Sequence, residues 1–172
     1  MFEFEVRLFK DDASILAIGE GLLSATLPHE TWTHEAHLAA CSWLVRARGD
    51  IDIERELPLI IAAYNAAVGG VNDDTRGYHH TITHVYIAGV KAHLAEVGHD
   101  LPLYKAVNAL LLSERGSRDL PLRFYSKERL FSVQARREFV APDRLSLKYI
   151  YADISRTLSA VTAVAFYVIC PA

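Results

Sequence analysis

Eight histidines occur in this 172-residue chain, and five of them fall in two short strings, TWTHEAHL at positions 31–38 and GYHHTITH at 77–84. Imidazole is the side chain best suited to proton transfer near neutrality and is a common ligand for transition metals. Which of the five point inward follows from helical phase, at about 100° per residue. In the first string Leu38, Cys41, Leu44 and Val45 define an apolar face, and His34 and His37 fall within it. In the second, Ile82, Thr83, Tyr86, Ile87, Val90, Leu94 and Val97 mark the inward stripe of a long helix, with His79 near its centre, His80 at its edge and His84 on the side shared with Lys91.

Two histidines three residues apart on one helix can reach a single ion, and a third from a facing helix completes a three-nitrogen site with an open position. His34, His37 and His79 are therefore the expected metal ligands, for zinc, nickel or iron. Thr83, next on the face of His79, could orient its imidazole. The competing expectation is that each is a core histidine bonded to a backbone carbonyl, a tyrosine or a water. His80 and His84, at i and i+4, form an alternative pair. The spacing is HxxH, not the HExxH of metalloproteases, and Glu35 falls opposite the ligands as a solvated first-turn acid favoured by the helix dipole. Cys41 could be a soft ligand, although a small buried apolar filler describes it as well. Asn65, Asn72 and Asp73 could reach the site from a loop, but such residues also suit a turn with no other role.

The elements that carry these residues are mainly helical. Asp11 or Asp12 caps a first helix that Pro28 terminates, Thr33 caps a second over 34–48, and Asp52 opens a third in which Pro58 kinks or restarts the helix, firm over 58–68. GGVNDDTRG, residues 69–77, reads as a loop. A long helix over 78–97, another from Asp100 and Pro102 to about Ser113, the polar loop SERGSRD and a short helix capped by Ser126 follow. Phe2, Phe4, Val6 and Leu8 alternate with polar residues as one short strand would. The expected fold is all-α, a bundle of about five or six helices, with residues 1–147 as one domain and 148–172 as a tail whose structure the pattern does not assign.

Composition bounds the function. Apolar residues make up 51% and charged residues 23% of the chain, which suits a packed globular core. The net charge of -3 argues against a general nucleic-acid binder, yet residues 1–112 carry 8 Lys/Arg against 15 Asp/Glu while 113–148 carry 9 against 5. That basic segment reads as a solvated face pairing with acidic helices of the same molecule, or as an anion-binding surface. The two cysteines, Cys41 and Cys170, belong to no disulfide or CxxC pattern, which suits a reducing setting. The N-terminal stretch lacks the features of a signal peptide, and the longest apolar run, Ala163 to Cys170, is too short to span a bilayer. The chain reads as cytoplasmic, with no membrane partner. No P-loop, GxGxxG, GxSxG elbow or paired-carboxylate motif is present.

The strings WTHEAHL (32–38), YNAAVG (64–69) and GYHHTIT (77–83) resemble those of a family of small uncharacterised bacterial helical proteins, over roughly residues 15–145. In that family the third string is usually GYHETIT, so His80 stands where a glutamate is usual. The resemblance implies His34, His37 and His79 as the site, speaks against His80 as a ligand, and carries no known activity. The three-histidine plan is also similar in outline to DinB-like metal-binding bundles, by analogy only. Two expectations result: a metal-dependent hydrolase or group transferase acting on a small molecule, or a non-enzymatic helical module with structural histidines that could form a homo-oligomer.

Overall fold

The computed structural model describes residues 6–151, which contain eight α-helices and no strand. They are α1 (Asp12–Leu23), α2 (His34–Ala47), α3 (Ile53–Ala67), α4 (His80–Val97), α5 (Leu103–Leu111), α6 (Leu120–Phe124), α7 (Lys127–Leu130) and α8 (Val133–Arg137), with 3₁₀ turns at His29–Thr31, Glu114–Gly116 and Leu147–Tyr151. Local capping chemistry starts most of them. The side chains of Asp11, Thr33, Asp52, Ser126 and Ser132 each accept a backbone N–H of the first turn they precede. Each such bond contributes about 1 kcal/mol by satisfying a donor that the helix leaves unpaired.

Two boundaries differ from expectation. α3 runs unbroken from Ile53, with Pro58 buried inside it; so close to the start, the lost bond affects one carbonyl near the open end. α4 begins at His80, with His79 as its N-cap in extended backbone (φ −137°, ψ 108°). The expected N-terminal strand is absent over residues 6–8, while its earlier positions lie outside the described residues. In its place the Asn108 amide satisfies the lone chain, accepting the Phe9 N–H at 2.8 Å and donating to the Phe9 carbonyl at 2.8 Å.

Two apolar clusters share α4. Ile87, Val90 and Leu94 face a core built with α1, α2, α3 and α5, whereas Val85 joins Leu120, Phe124, Tyr125, Leu130, Ala135, Val140 and Ile150. Ile150 is fully buried and its carbonyl accepts from the buried Arg115 at 2.8 Å, so the second core takes in residues beyond 147. The rest of the expected tail, 152–172, lies outside the described residues. No helix among the described residues is long and apolar enough to cross a membrane.

Directions follow from end-to-end contacts. Arg46, late in α2, donates to the Gly98 and Leu101 carbonyls just past α4, while His34, at the start of α2, packs its ring against Tyr86 in the second turn of α4. α2 and α4 therefore run the same way. α3 opposes them: Glu54 at its start pairs with Lys91, and Tyr64 near its end donates to the Leu27 carbonyl. The first turns of α2 and α4 thus meet at one end of the bundle.

Helix α1 closes against α2 through Gly19, where an added Cβ would stand 2.2 Å from the Trp43 ring. Gly19→Ala gains about 1 kcal/mol of helix propensity, but the clash with a buried indole costs about 1–3 kcal/mol. The expected outcome is a net loss of stability in urea unfolding; a stabilised variant would show that α1 and α2 are not in this contact.

Candidate functional site

A cavity of about 390 Å³ lies where α2, α3 and α4 meet, within the size range of small-molecule sites. Leu38, Cys41, Leu57, Ile61, Ile82 and Ile87 form its apolar wall, and His34, His37, Thr83, Tyr86 and Arg118 its polar end. The capped start of α2 supplies both histidines, the second turn of α4 supplies Thr83 and Tyr86, and Arg118 comes from the loop before α6.

Backbone carbonyls fix the state of each imidazole, because a carbonyl only accepts. His37 Nδ1 lies 2.6 Å from the Thr33 carbonyl, so Nδ1 carries the proton and Nε2 keeps a lone pair, for which the described residues offer no hydrogen-bond partner. His34 Nε2 lies 2.8 Å from the Gly116 carbonyl, so its lone pair is on Nδ1. Gly116 is required where this turn lies against α5, since a Cβ there would stand 2.2 Å from the Leu110 carbonyl oxygen. The His37 ring stacks on Trp32 with centroids 3.8 Å apart, which holds its orientation.

Both rings are kept neutral. Burial pushes His37 down to about 4, with the His34 and Arg118 charges adding to it against the pull of the Thr33 carbonyl. Burial also lowers His34, with Arg118 assisting, while the Gly116 carbonyl and Glu35 oppose the shift. Cys41 is pushed up to about 12 by burial and is a neutral thiol at physiological pH, neither a thiolate ligand nor an activated nucleophile.

The three expected ligands do not converge. His79 is buried but does not line the cavity, and both its nitrogens are engaged: Nε2 donates to the Leu130 carbonyl at 3.0 Å and Nδ1 accepts the Ile82 N–H at 3.4 Å. As the N-cap it lies outside the helical phase on which its expected position depended. Thr83 donates to the His79 backbone carbonyl rather than to the imidazole. Among the described residues no group of three His, Cys, Asp or Glu side chains is arranged to hold a metal ion, so the residues present do not fit the three-histidine centre. His34, His37 and His79 instead each bond a backbone carbonyl. His80 and His84 stack at 4.5 Å; His80 Nδ1 contacts the Tyr78 hydroxyl at 3.0 Å, and His84 Nε2 is buried with no partner.

Glu35 departs from expectation too. It is 6% exposed, not solvated, and accepts from Arg118 at 3.1 Å. Burial alone would raise its carboxyl, but its own backbone N–H, the Thr33 hydroxyl and Arg118 outweigh that and hold it below the usual range. Arg118 went unrecognised as a site residue because SERGSRD reads as surface loop. The signal available was the basic excess of 113–148, and its partners are indeed intramolecular: Arg115 pairs with Glu96, Arg118 with Glu35 and Arg137 with Asp74. Asn65 and Asn72 brace the loop before α4, Asn65 donating to Asn72 and Asn72 to the Ala62 carbonyl, rather than reaching the site. A second hollow of about 510 Å³, lined by Asn72, Asp73, Asp74, Thr75, Tyr78, Arg136 and Arg137, has no aliphatic side chain in its lining, and Asp73 is spent on the backbone N–H groups of Thr75 and Arg76.

The lowered histidines make stability depend on pH. A His whose folded pKa lies below its unfolded value of about 6.5 leaves the unfolded chain binding more protons, so stability is full above that value and falls as pH drops toward the folded pKa. For His37 the window runs from about 6.5 to about 4, and the loss through this residue is at most about 3 kcal/mol. His37→Phe keeps an aromatic ring against Trp32 and removes the titration. Its unfolding free energy should fall less steeply than that of wild type between those pH values; parallel profiles would show that His37 is not buried neutral.

No family model, curated protein or solved structure matches the chain. The cavity between α2, α3 and α4 is thus read from its own geometry.

Proposed function

We propose that the chain binds a small, largely apolar molecule in the cavity between α2, α3 and α4 and presents its polar group to two neutral imidazoles for proton transfer. The observation that carries this reading is that His34 and His37 both line one cavity of about 390 Å³, each with one nitrogen locked to a carbonyl and the other holding a lone pair. A mostly apolar pocket with a few convergent polar groups and perturbed histidines is the usual form of a ligand site.

The two rings suit different tasks. At about 4, His37 is too weak a base to hold a proton near neutrality and serves as a fixed acceptor. Burial lowers His34 as well, with Arg118 assisting, but the Gly116 carbonyl and Glu35 oppose the shift, so of the two rings it is the one to take a proton from bound substrate. Glu35 pairs with Arg118 beside the two rings. The reaction would be a transfer needing one proton acceptor, with the apolar part of the substrate held against Leu57, Ile61 and Ile87.

A fragment screen by protein-observed NMR, run in excess chelator, tests this. Shifts should cluster on His34, His37, Thr83 and Tyr86, and Ile61→Trp, which fills the cavity, should abolish them while the fold persists. Shifts confined to the hollow around Asp74 and Arg137 would contradict the proposal. So would binding that is lost in chelator and restored by zinc, which would favour a divalent ion on His34 and His37.

A further inference from the structure

The neutral donors at the polar end of the cavity are already spent. His34 Nε2–H goes to the Gly116 carbonyl, His37 Nδ1–H to the Thr33 carbonyl, the Thr83 hydroxyl to the His79 carbonyl at 2.9 Å and the Tyr86 hydroxyl to the Ser117 carbonyl at 2.9 Å. Each of these four groups has one hydrogen to give and gives it to the backbone, away from the cavity. What remains on the neutral polar lining is lone pairs: His34 Nδ1, His37 Nε2, Thr83 Oγ1 and Tyr86 Oη. Arg118 brings N–H groups to the cavity, but its charge is opposed by Glu35 at 3.1 Å. The remaining lining, apart from the Cys41 thiol, is hydrocarbon.

An acceptor left unpaired when a ligand displaces its water costs about 1–3 kcal/mol, so such a lining selects ligands that bring hydrogens with them. From this we infer that the ligand is a neutral hydrogen-bond donor on an apolar body, an alcohol, and not a carboxylate, ketone or other pure acceptor. The two imidazole lone pairs and the two hydroxyl oxygens can receive a hydroxyl head, while the wall of Leu38, Leu57, Ile61, Ile82 and Ile87 takes the hydrocarbon; an ammonium head would meet the Arg118 charge. A carboxylate would face four lone pairs and compete with Glu35 for Arg118. This inference rests on the reading of the cavity as a ligand site and names the chemical class that the site admits.

The test is a set of four probes on one ring: cyclohexanol, cyclohexylamine, cyclohexanone and cyclohexanecarboxylate, titrated by NMR into wild type, His37→Phe and Thr83→Val near neutral pH. The alcohol should bind at least about tenfold tighter than the ketone and the carboxylate, a difference of about 1.4 kcal/mol, and tighter than the amine, which is a cation beside Arg118. That ratio should shrink in both variants, which lose one acceptor each and keep the hydrocarbon wall. A merely structural role for either residue would weaken all four probes alike and leave the ratio unchanged, overturning the inference. If the ketone or carboxylate binds as well as the alcohol to wild type, the donor selection is wrong while the cavity stands as a ligand site. If none of the four perturbs the cavity residues, the ligand-site reading itself fails and this inference with it.

Discussion

Helix α4 is buried on two faces, and nearly every other feature of the molecule follows from that. Its Ile87, Val90 and Leu94 close the core of the larger helices, and Val85 closes the cluster formed by α6, α7, α8 and Ile150. A helix apolar on more than one stripe must be covered on each, or leave a large hydrophobic face in water. The short helices after residue 119 are that cover. Their own length would not hold them in isolation, so their order derives from packing against α4 and from backbone carbonyls that accept Arg115, His79 and Thr81.

Burial on this scale also dictates the state of the histidines. Imidazole in a low-dielectric interior is cheapest when neutral, and each neutral ring has one hydrogen that must find an acceptor. In this fold the acceptor is repeatedly a main-chain carbonyl: Thr33 for His37, Gly116 for His34, Leu130 for His79 and Ala106 for His93. The same bonds that satisfy the core therefore set the tautomers. Where a ring lines the cavity, the nitrogen that does not meet a carbonyl keeps the lone pair. A structural requirement and a chemical capability thus come from one arrangement.

The sequence made the long helices legible because their apolar periodicity and their caps, Asp11, Thr33 and Asp52, agree. It also placed His34 and His37 correctly on the inward face of α2. His79 was misjudged for a local reason: its side chain caps the helix, so its backbone is extended and its phase is not that of α4. Glu35 was misjudged for a tertiary one, because α2 is surrounded on nearly all sides, with Ala36, Ala39, Ala40 and Ser42 all buried, and periodicity cannot report a helix with no wet face. α6 and α8 are too short to show a period. Arg118 reads as loop until folding brings it to Glu35, more than 80 positions away in the chain. The basic segment, by contrast, was legible as an intramolecular partner for the acidic helices.

The central claim is that His34 and His37 are neutral and locked in opposite tautomers at one cavity, and heteronuclear NMR of the imidazole nitrogens near neutral pH reads this directly. The account predicts a protonated Nε2 with a bare Nδ1 for His34, a protonated Nδ1 with a bare Nε2 for His37, and no imidazolium signal from either ring. An imidazolium at His37, or either ring in the reverse tautomer, would contradict it.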